Sequence, residues 1–298
     1  MRGFKALLAT LVALTLYSFL VFSLYWTIPS DPVAGILNRS SLTFLHSTSP
    51  QPLRHTPGPF WKQAQLFYEH ILDGTWGVSF WTGSSVLRLI LDRAPHTLWI
   101  ALASLFVTYC LGIGLAYLQL GANNRTISFL TRCSIALLLS IPAFCTCILL
   151  FILSPAGISH LLAVLVYSLS AAPYLAVLVY THLKAETQTP YFQAALAKGL
   201  DLRQVIRKHL LPSVVGQLLA YLPFWWALWV GTSLVIEPIL QIPGMGLLAF
   251  ESFRNQDVAV LVGLALFYGS IRILLGCLRD SLFALTHEKW LGVRAYEP

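Results

Sequence analysis

The stretch Gln193 to Pro212 reads QAALAKGLDLRQVIRKHLLP and lies between two long apolar runs. It is polar and basic, so it cannot sit in lipid. Five of the chain's 19 lysines and arginines fall between Lys184 and Lys208: Lys184, Lys198, Arg203, Arg207 and Lys208. Thr189-Pro190 is a helix-start signal, with threonine as N-cap and proline at the first helical position. Gly199 supplies the left-handed residue that ends a helix. Asp201 with Gln204 three residues on predicts a second helix, Leu202 to Leu211, stopped by Pro212. The segment therefore reads as a short helix, a sharp glycine turn and a second helix leading back to an apolar run.

The rest of the chain gives that loop its setting. Of 298 residues, 57% are hydrophobic and 10% charged, with mean hydropathy +0.71. A soluble domain usually carries about 25% charged residues, so the bilayer is the implied solvent. The net charge of +7 does not point to nucleic acid, because the basic residues sit in short loops beside apolar spans. The spacing predicts six spans: Ala6–Ile28, Thr97–Leu120, Ile135–Leu153, Leu161–Leu183, Val214–Ile236 and Val258–Leu278. A cleaved signal peptide has a shorter apolar region and small residues at its end. The first run instead ends in Tyr25-Trp26-Thr27-Ile28-Pro29, which predicts a retained span.

The polar breaks set orientation. Twelve basic residues lie at the termini and after spans two and four, against Arg254 alone after spans three and five. Both termini are therefore expected in the cytoplasm. Residues 29–93 form a large outer loop with amphipathic helices at Trp61–Leu72 and Ser85–Arg93. Residues 94–298 form a five-helix core whose cytoplasmic loop is 184–212. Arg272, in the last third of span six, is expected to snorkel inward. The fold class is thus an all-α integral membrane protein of six transmembrane helices.

The 193–212 loop resembles the EAA signature of permeases in binding-protein-dependent ABC importers. That signature runs Glu-Ala-Ala, three residues, Gly, nine residues, Ile, any residue, Leu-Pro. Ala194, Ala195, Gly199, Leu211 and Pro212 match at the right spacing, while Gln193 replaces Glu and His209 replaces Ile. Ala197-Lys198-Gly199-Leu200 resembles the A-K-G-L of the dipeptide/oligopeptide branch. Three further stretches resemble that branch in order. Gly74–Ser79 is similar to its G-D-L-G-x-S segment, and Arg93-Ala94-Pro95-His96-Thr97 to its R-x-P-x-T entry to the second span. Val235–Pro238 with Pro243-Gly244-Met245-Gly246 is similar to its V-x-E-x-x-F-x-x-P-G-x-G stretch. Two outer segments depart from the pattern: the short 154–160 connection and the Pro/Ser-rich residues 38–60.

The resemblance implies a membrane subunit of an ATP-driven importer, forming half of a translocation pathway for di- or oligopeptides. Gln193, Ala194, Ala195, Lys198, Gly199, Leu211 and Pro212 would form the coupling contact with an ATPase. Glu237, Pro243, Gly244 and Gly246 are candidate outer-gate residues. The plainer reading of Glu237 is a solvated acid at the end of span five, with Pro238 stopping the helix, and that of Pro243–Gly246 is a tight turn between short elements. The implied partners are a second, different permease, two ATP-binding subunits and an extracytoplasmic solute-binding protein, in a bacterial cytoplasmic (inner) membrane. Other readings stay open: a permease for another solute such as nickel, or a stand-alone secondary transporter.

No catalytic or metal-binding residue is expected. The sequence has no G-x-x-x-x-G-K-[ST], G-x-S-x-G or H-E-x-x-H motif. ATP and magnesium would belong to partner subunits. Cys145 and Cys147 lack a second pair to complete a zinc set, and the scattered histidines lack ligand spacing. Trp225, Trp226 and Trp229 read as lipid or helix packing, and an intramembrane enzyme would need a Ser/His or paired-Asp set inside the spans.

Overall fold

A computed structural model describes residues 2–27, 59–121, 125–153, 159–199 and 218–294. Among the described residues the architecture is helical, with a single isolated antiparallel bridge between Val78 and Ser85. In chain order the helices are α1 (Arg2–Thr27), α2 (Phe60–Leu72), α3 (Val86–Gly121), α4 (Arg125–Ser140) and α5 (Ala143–Leu153). Then come α6 (Ser159–Glu186), α7 (Pro190–Ala197), α8 (Leu222–Leu240), α9 (Met245–Arg254) and α10 (Val258–Arg294). Five single helices are long and apolar enough to cross a bilayer: Leu7–Thr27, Val86–Leu120, Ser159–Glu186, Leu222–Leu240 and Val258–Leu282. The pair α4 and α5, bent by 95° at the break between them, is together apolar and long enough to count as a sixth crossing if it forms one broken span rather than a re-entrant loop.

That bend corrects the expectation of one straight span over Ile135–Leu153. Pro142 has no amide hydrogen and disfavours helical backbone at Ile141. The Ser140 hydroxyl donates to the Ala136 carbonyl at 2.8 Å, which caps the first arm. The second arm restarts with the Cys145 and Thr146 amides donating to the Pro142 carbonyl at 3.0 and 3.2 Å. Hydropathy runs straight through the bend and gives no sign of it.

A second correction concerns Pro95. The separate helix expected at Ser85–Arg93 is continuous with the second span, as the 36-residue α3 with Pro95 inside it. Val86, Ile90, Ala94, Thr97 and Ala101 are all buried, spaced three or four residues apart. One packed stripe therefore passes the proline and holds the turn whose hydrogen bond the ring removes.

The chain divides into two compact units. The first comprises Met1–Thr97 with Pro243–Ser281. In it α1 lies against α2 through aromatic contacts: the Phe22 ring is 5.2 Å from both Phe60 and Phe67. The Tyr17 hydroxyl donates to the Ala265 carbonyl of α10 at 2.8 Å, and its ring fills the space over Gly269 that a Cβ would need. On α2 the buried face is Ala64 and Phe67, whereas Trp61 and Leu72 point outward.

The second unit comprises Leu98–Ile242 with Leu282–Pro298, and α6 is its centre. Helices α4, α5 and α8 all pack on α6. Gly112 of α3 admits Leu175 so closely that an added Cβ would lie 2.7 Å from Leu175 Cδ2. The Ser168 hydroxyl reaches the Ser104 carbonyl at 3.3 Å, and the Tyr109 hydroxyl the Leu218 carbonyl at 3.2 Å. Trp225, Trp226 and Trp229 are buried, so they pack against protein rather than lipid. Much of the large apolar surface left outside, such as Leu7, Leu11, Leu16 and Leu20 along α1, suits the bilayer.

Candidate functional site

The candidate coupling segment begins where α6 ends. The Thr187, Gln188 and Thr189 amides donate back to the Leu183, Ala185 and Glu186 carbonyls at 3.0–3.1 Å. The Thr187 and Thr189 hydroxyls donate to the Lys184 and Glu186 carbonyls, each at 2.7 Å. The Thr189 hydroxyl thus satisfies the end of α6 immediately before Pro190. Pro190 opens α7, whose missing amide hydrogen costs nothing at that position. Two helices are joined by three residues whose polar groups are tied back, which makes a stiff corner. Phe192 is buried and anchors α7, while Ala194, Ala197, Lys198 and Gly199 are exposed.

Gly199 has φ +81°, the left-handed backbone that ends a helix. Its surroundings are open, with nothing within 4 Å of an added Cβ. Gln193 and Ala195 lie within α7. The expected second helix at Leu202–Leu211, with Leu211 and Pro212, lies outside the described residues, as does the 154–158 part of the short connection.

The candidate outer-gate residues fall in two settings. Glu237 is fully buried, not a solvated acid, and Pro238 does not stop the helix. α8 runs on to Leu240 and ends at Gln241, whose φ is +52°. The Ile242 amide closes that end by donating to the Glu237 carbonyl at 3.0 Å. Pro238 is tolerated because it removes only one amide in the last turn.

Pro243-Gly244 does not close a free tight turn. It leads directly into α9, a helix that sequence reasoning missed because two glycines and a proline read as punctuation. Gly244 is the extended residue before the helix, and Gly246 is buried in its first turn. The Thr97 hydroxyl oxygen accepts the Met245 amide at 2.8 Å. Two stretches far apart in sequence, Arg93–Thr97 and Pro243–Gly246, therefore meet in the first unit. Arg93 adds a 3.8 Å ion pair to Glu251.

Another group that sequence reasoning passed over is Asp257, which is 2% exposed. One carboxylate oxygen accepts the Ser79 hydroxyl at 2.6 Å and the Trp81 amide at 3.3 Å. The other accepts the Val260 amide at 3.4 Å, capping α10. Its signal was an aspartate just before an apolar helix. The partners, 178 residues away for Ser79, left no mark in the local sequence.

The chain belongs to the family described as "Binding-protein-dependent transport system inner membrane component", whose model matches residues 108–290. It is similar to the nickel import system permease protein NikB of Staphylococcus aureus, at 27% identity over 297 aligned residues, covering 95% of this chain and 89% of the relative; the strain USA300 and strain COL sequences match alike. Among solved structures it resembles the inward-facing MetNI methionine ABC transporter, with TM-score 0.58 and 19% identity over 66% of this chain and 95% of that one. An amino acid ABC transporter matches with TM-score 0.54 and 15% identity over 66% and 92%. These two likenesses speak for the fold. The chain is a multi-pass membrane permease subunit of an ABC importer, whose family works with a partner permease, ATPases and a binding protein.

Proposed function

We propose that this subunit forms half of the pathway through which an ATP-driven importer moves di- or oligopeptides inward, pairing with a different permease and two ATP-binding subunits. Both termini lie in the cytoplasm, as the twelve-to-one distribution of basic residues in short breaks favours. The observation that carries the coupling role is the α6–α7 corner: a helical projection held to α6 by a tied-back connection and ended by a left-handed glycine. A groove on an ATPase that seats α7 would transmit its movement to α6 with little slack, and ATP and magnesium would act on those partners. Alternating access follows if that movement shifts the balance between inward- and outward-open states.

The peptide assignment rests on the four ordered sequence segments from Gly74 to Gly246. Nickel is the second reading, favoured by the NikB relative at 27% identity across 95% of the chain. Reconstitution with the neighbouring subunits separates them. ATP-driven uptake of a labelled dipeptide, with no uptake of radioactive nickel ion, is the expected result. Uptake of nickel alone would overturn the peptide assignment.

A further inference from the structure

A cavity of about 420 Å³ opens in the first unit between the Ser79–Thr82 turn and the polar edge of α9. Its apolar wall includes Leu89, Leu248, Phe250 and Val260, and its polar groups are Glu251, Arg254, Asn255, Thr82 and Asp257. Trp81, 67% exposed, stands at the rim. The size falls within the usual range for small-molecule sites, about 300–1,000 Å³.

The available charges narrow what fits. Asp257 is saturated: its two oxygens take the Ser79 hydroxyl and the Trp81 and Val260 amides. It builds the wall and holds the Trp81 turn in place. Glu251 keeps capacity: among the described residues its ion pair to Arg93 uses a single oxygen at 3.8 Å in a half-exposed setting, where such contacts are weak. Arg254 is exposed and makes no ion pair among the described residues. Glu251 and Arg254 are three residues apart on α9, so they share a face.

A lone cation would meet Arg254, and a lone anion would meet Glu251 and Asp257. No histidine or cysteine is among the residues lining the cavity, so its donors do not suit a soft metal. A ligand with one positive and one negative end satisfies both neighbours at once. The ends of an extended dipeptide are at most about 7 Å apart, a span that side chains one helical turn apart can bracket.

We propose that this cavity is a recognition site for a short zwitterionic peptide, with the ammonium on Glu251, the carboxylate on Arg254, and a side chain against the Leu89–Leu248–Phe250 wall beside Trp81. The assignment rests on the peptide reading of the cargo and deepens it. It gives the permease its own discrimination for free termini, separate from that of the solute-binding protein.

The test uses the purified complex of both permeases and ATPases, without binding protein. Binding of labelled dialanine is compared with N-acetyl-dialanine and dialanine amide. Wild type should bind dialanine saturably at millimolar concentration and each blocked peptide at least tenfold more weakly. Glu251→Gln should lose discrimination against the N-acetyl form while keeping it against the amide, and Arg254→Gln the reverse. Arg88→Gln, exposed on α3 outside the cavity, should behave as wild type. Absence of saturable dialanine binding, or unchanged discrimination in both variants, overturns the site. ATP-driven dipeptide uptake, measured with binding protein present, reports the cargo reading separately. Uptake without the crossed pattern sinks the site alone, and nickel uptake without dipeptide uptake sinks the cargo reading.

Discussion

Replacing Ser79 and Asp257 by alanine, singly and together, tests how the 74–85 turn is held to the start of α10. The Ser79 hydroxyl meets the Asp257 carboxylate at 2.6 Å, whereas the Trp81 and Val260 amides are 3.3 and 3.4 Å away. The short contact carries most of the energy. A buried hydrogen bond to a charged group contributes about 2 kcal/mol. Ser79→Ala also removes the acceptor for the Thr82 amide. Asp257→Ala loses the same bond plus the helix cap, which adds about 1 kcal/mol. Expected costs are therefore about 2 kcal/mol for Ser79→Ala and about 3 for Asp257→Ala. The double variant should cost about 3 rather than 5 kcal/mol, since both single changes delete one shared bond.

Hydrogen exchange of the Ser79, Gly83 and Val86 amides, whose backbone acceptors lie inside this turn, reads the local opening directly. A 2 kcal/mol loss speeds exchange roughly 30-fold. Additive effects, within about 0.5 kcal/mol, would mean the two residues act independently and would refute the clip.

Other substitutions follow from the packing. Gly112→Ala should lower stability by about 1–3 kcal/mol, because the new methyl collides with buried Leu175, while Gly114→Ala, with nothing within 4 Å, should be neutral or stabilising; thermal denaturation in detergent ranks the two. Tyr17→Phe should cost about 1 kcal/mol through loss of the 2.8 Å bond to Ala265, seen as a lower unfolding midpoint of the same complex. Gly199→Ala should destabilise the left-handed corner at φ +81° by about 1–2 kcal/mol and reduce ATP-driven uptake several-fold. Gly199→Asn, which tolerates that backbone, should retain most of it.

Hydropathy located the runs that form the five single crossing helices, because the bilayer imposes one length on every crossing. It was blind to the α4–α5 bend, since Pro142 interrupts hydrogen bonding without interrupting apolarity. At Pro95 the local signal pointed to a boundary, and the buried stripe from Val86 to Ala101 prevailed over it. The glycines around Met245 concealed α9, whose first amide is satisfied by Thr97, 148 residues away. Glu237 looked solvated because acid followed by proline usually marks an exposed end, yet the residue is enclosed completely. Pro190 and Gly199 were legible because start and stop signals act within a few residues. The Ser79–Asp257 clip was not, because it is made between elements distant in sequence.

The coupling role of the loop is tested most directly by deleting Ala194 to Gly199 and measuring uptake in proteoliposomes loaded with ATP, with the ATPases and binding protein present. The account predicts that the intact chain co-purifies with two ATPase subunits and supports uptake, and that the deletion abolishes uptake although the helices still insert. Undiminished ATP-driven uptake by the deleted chain, or uptake by the chain alone without ATP, would contradict it.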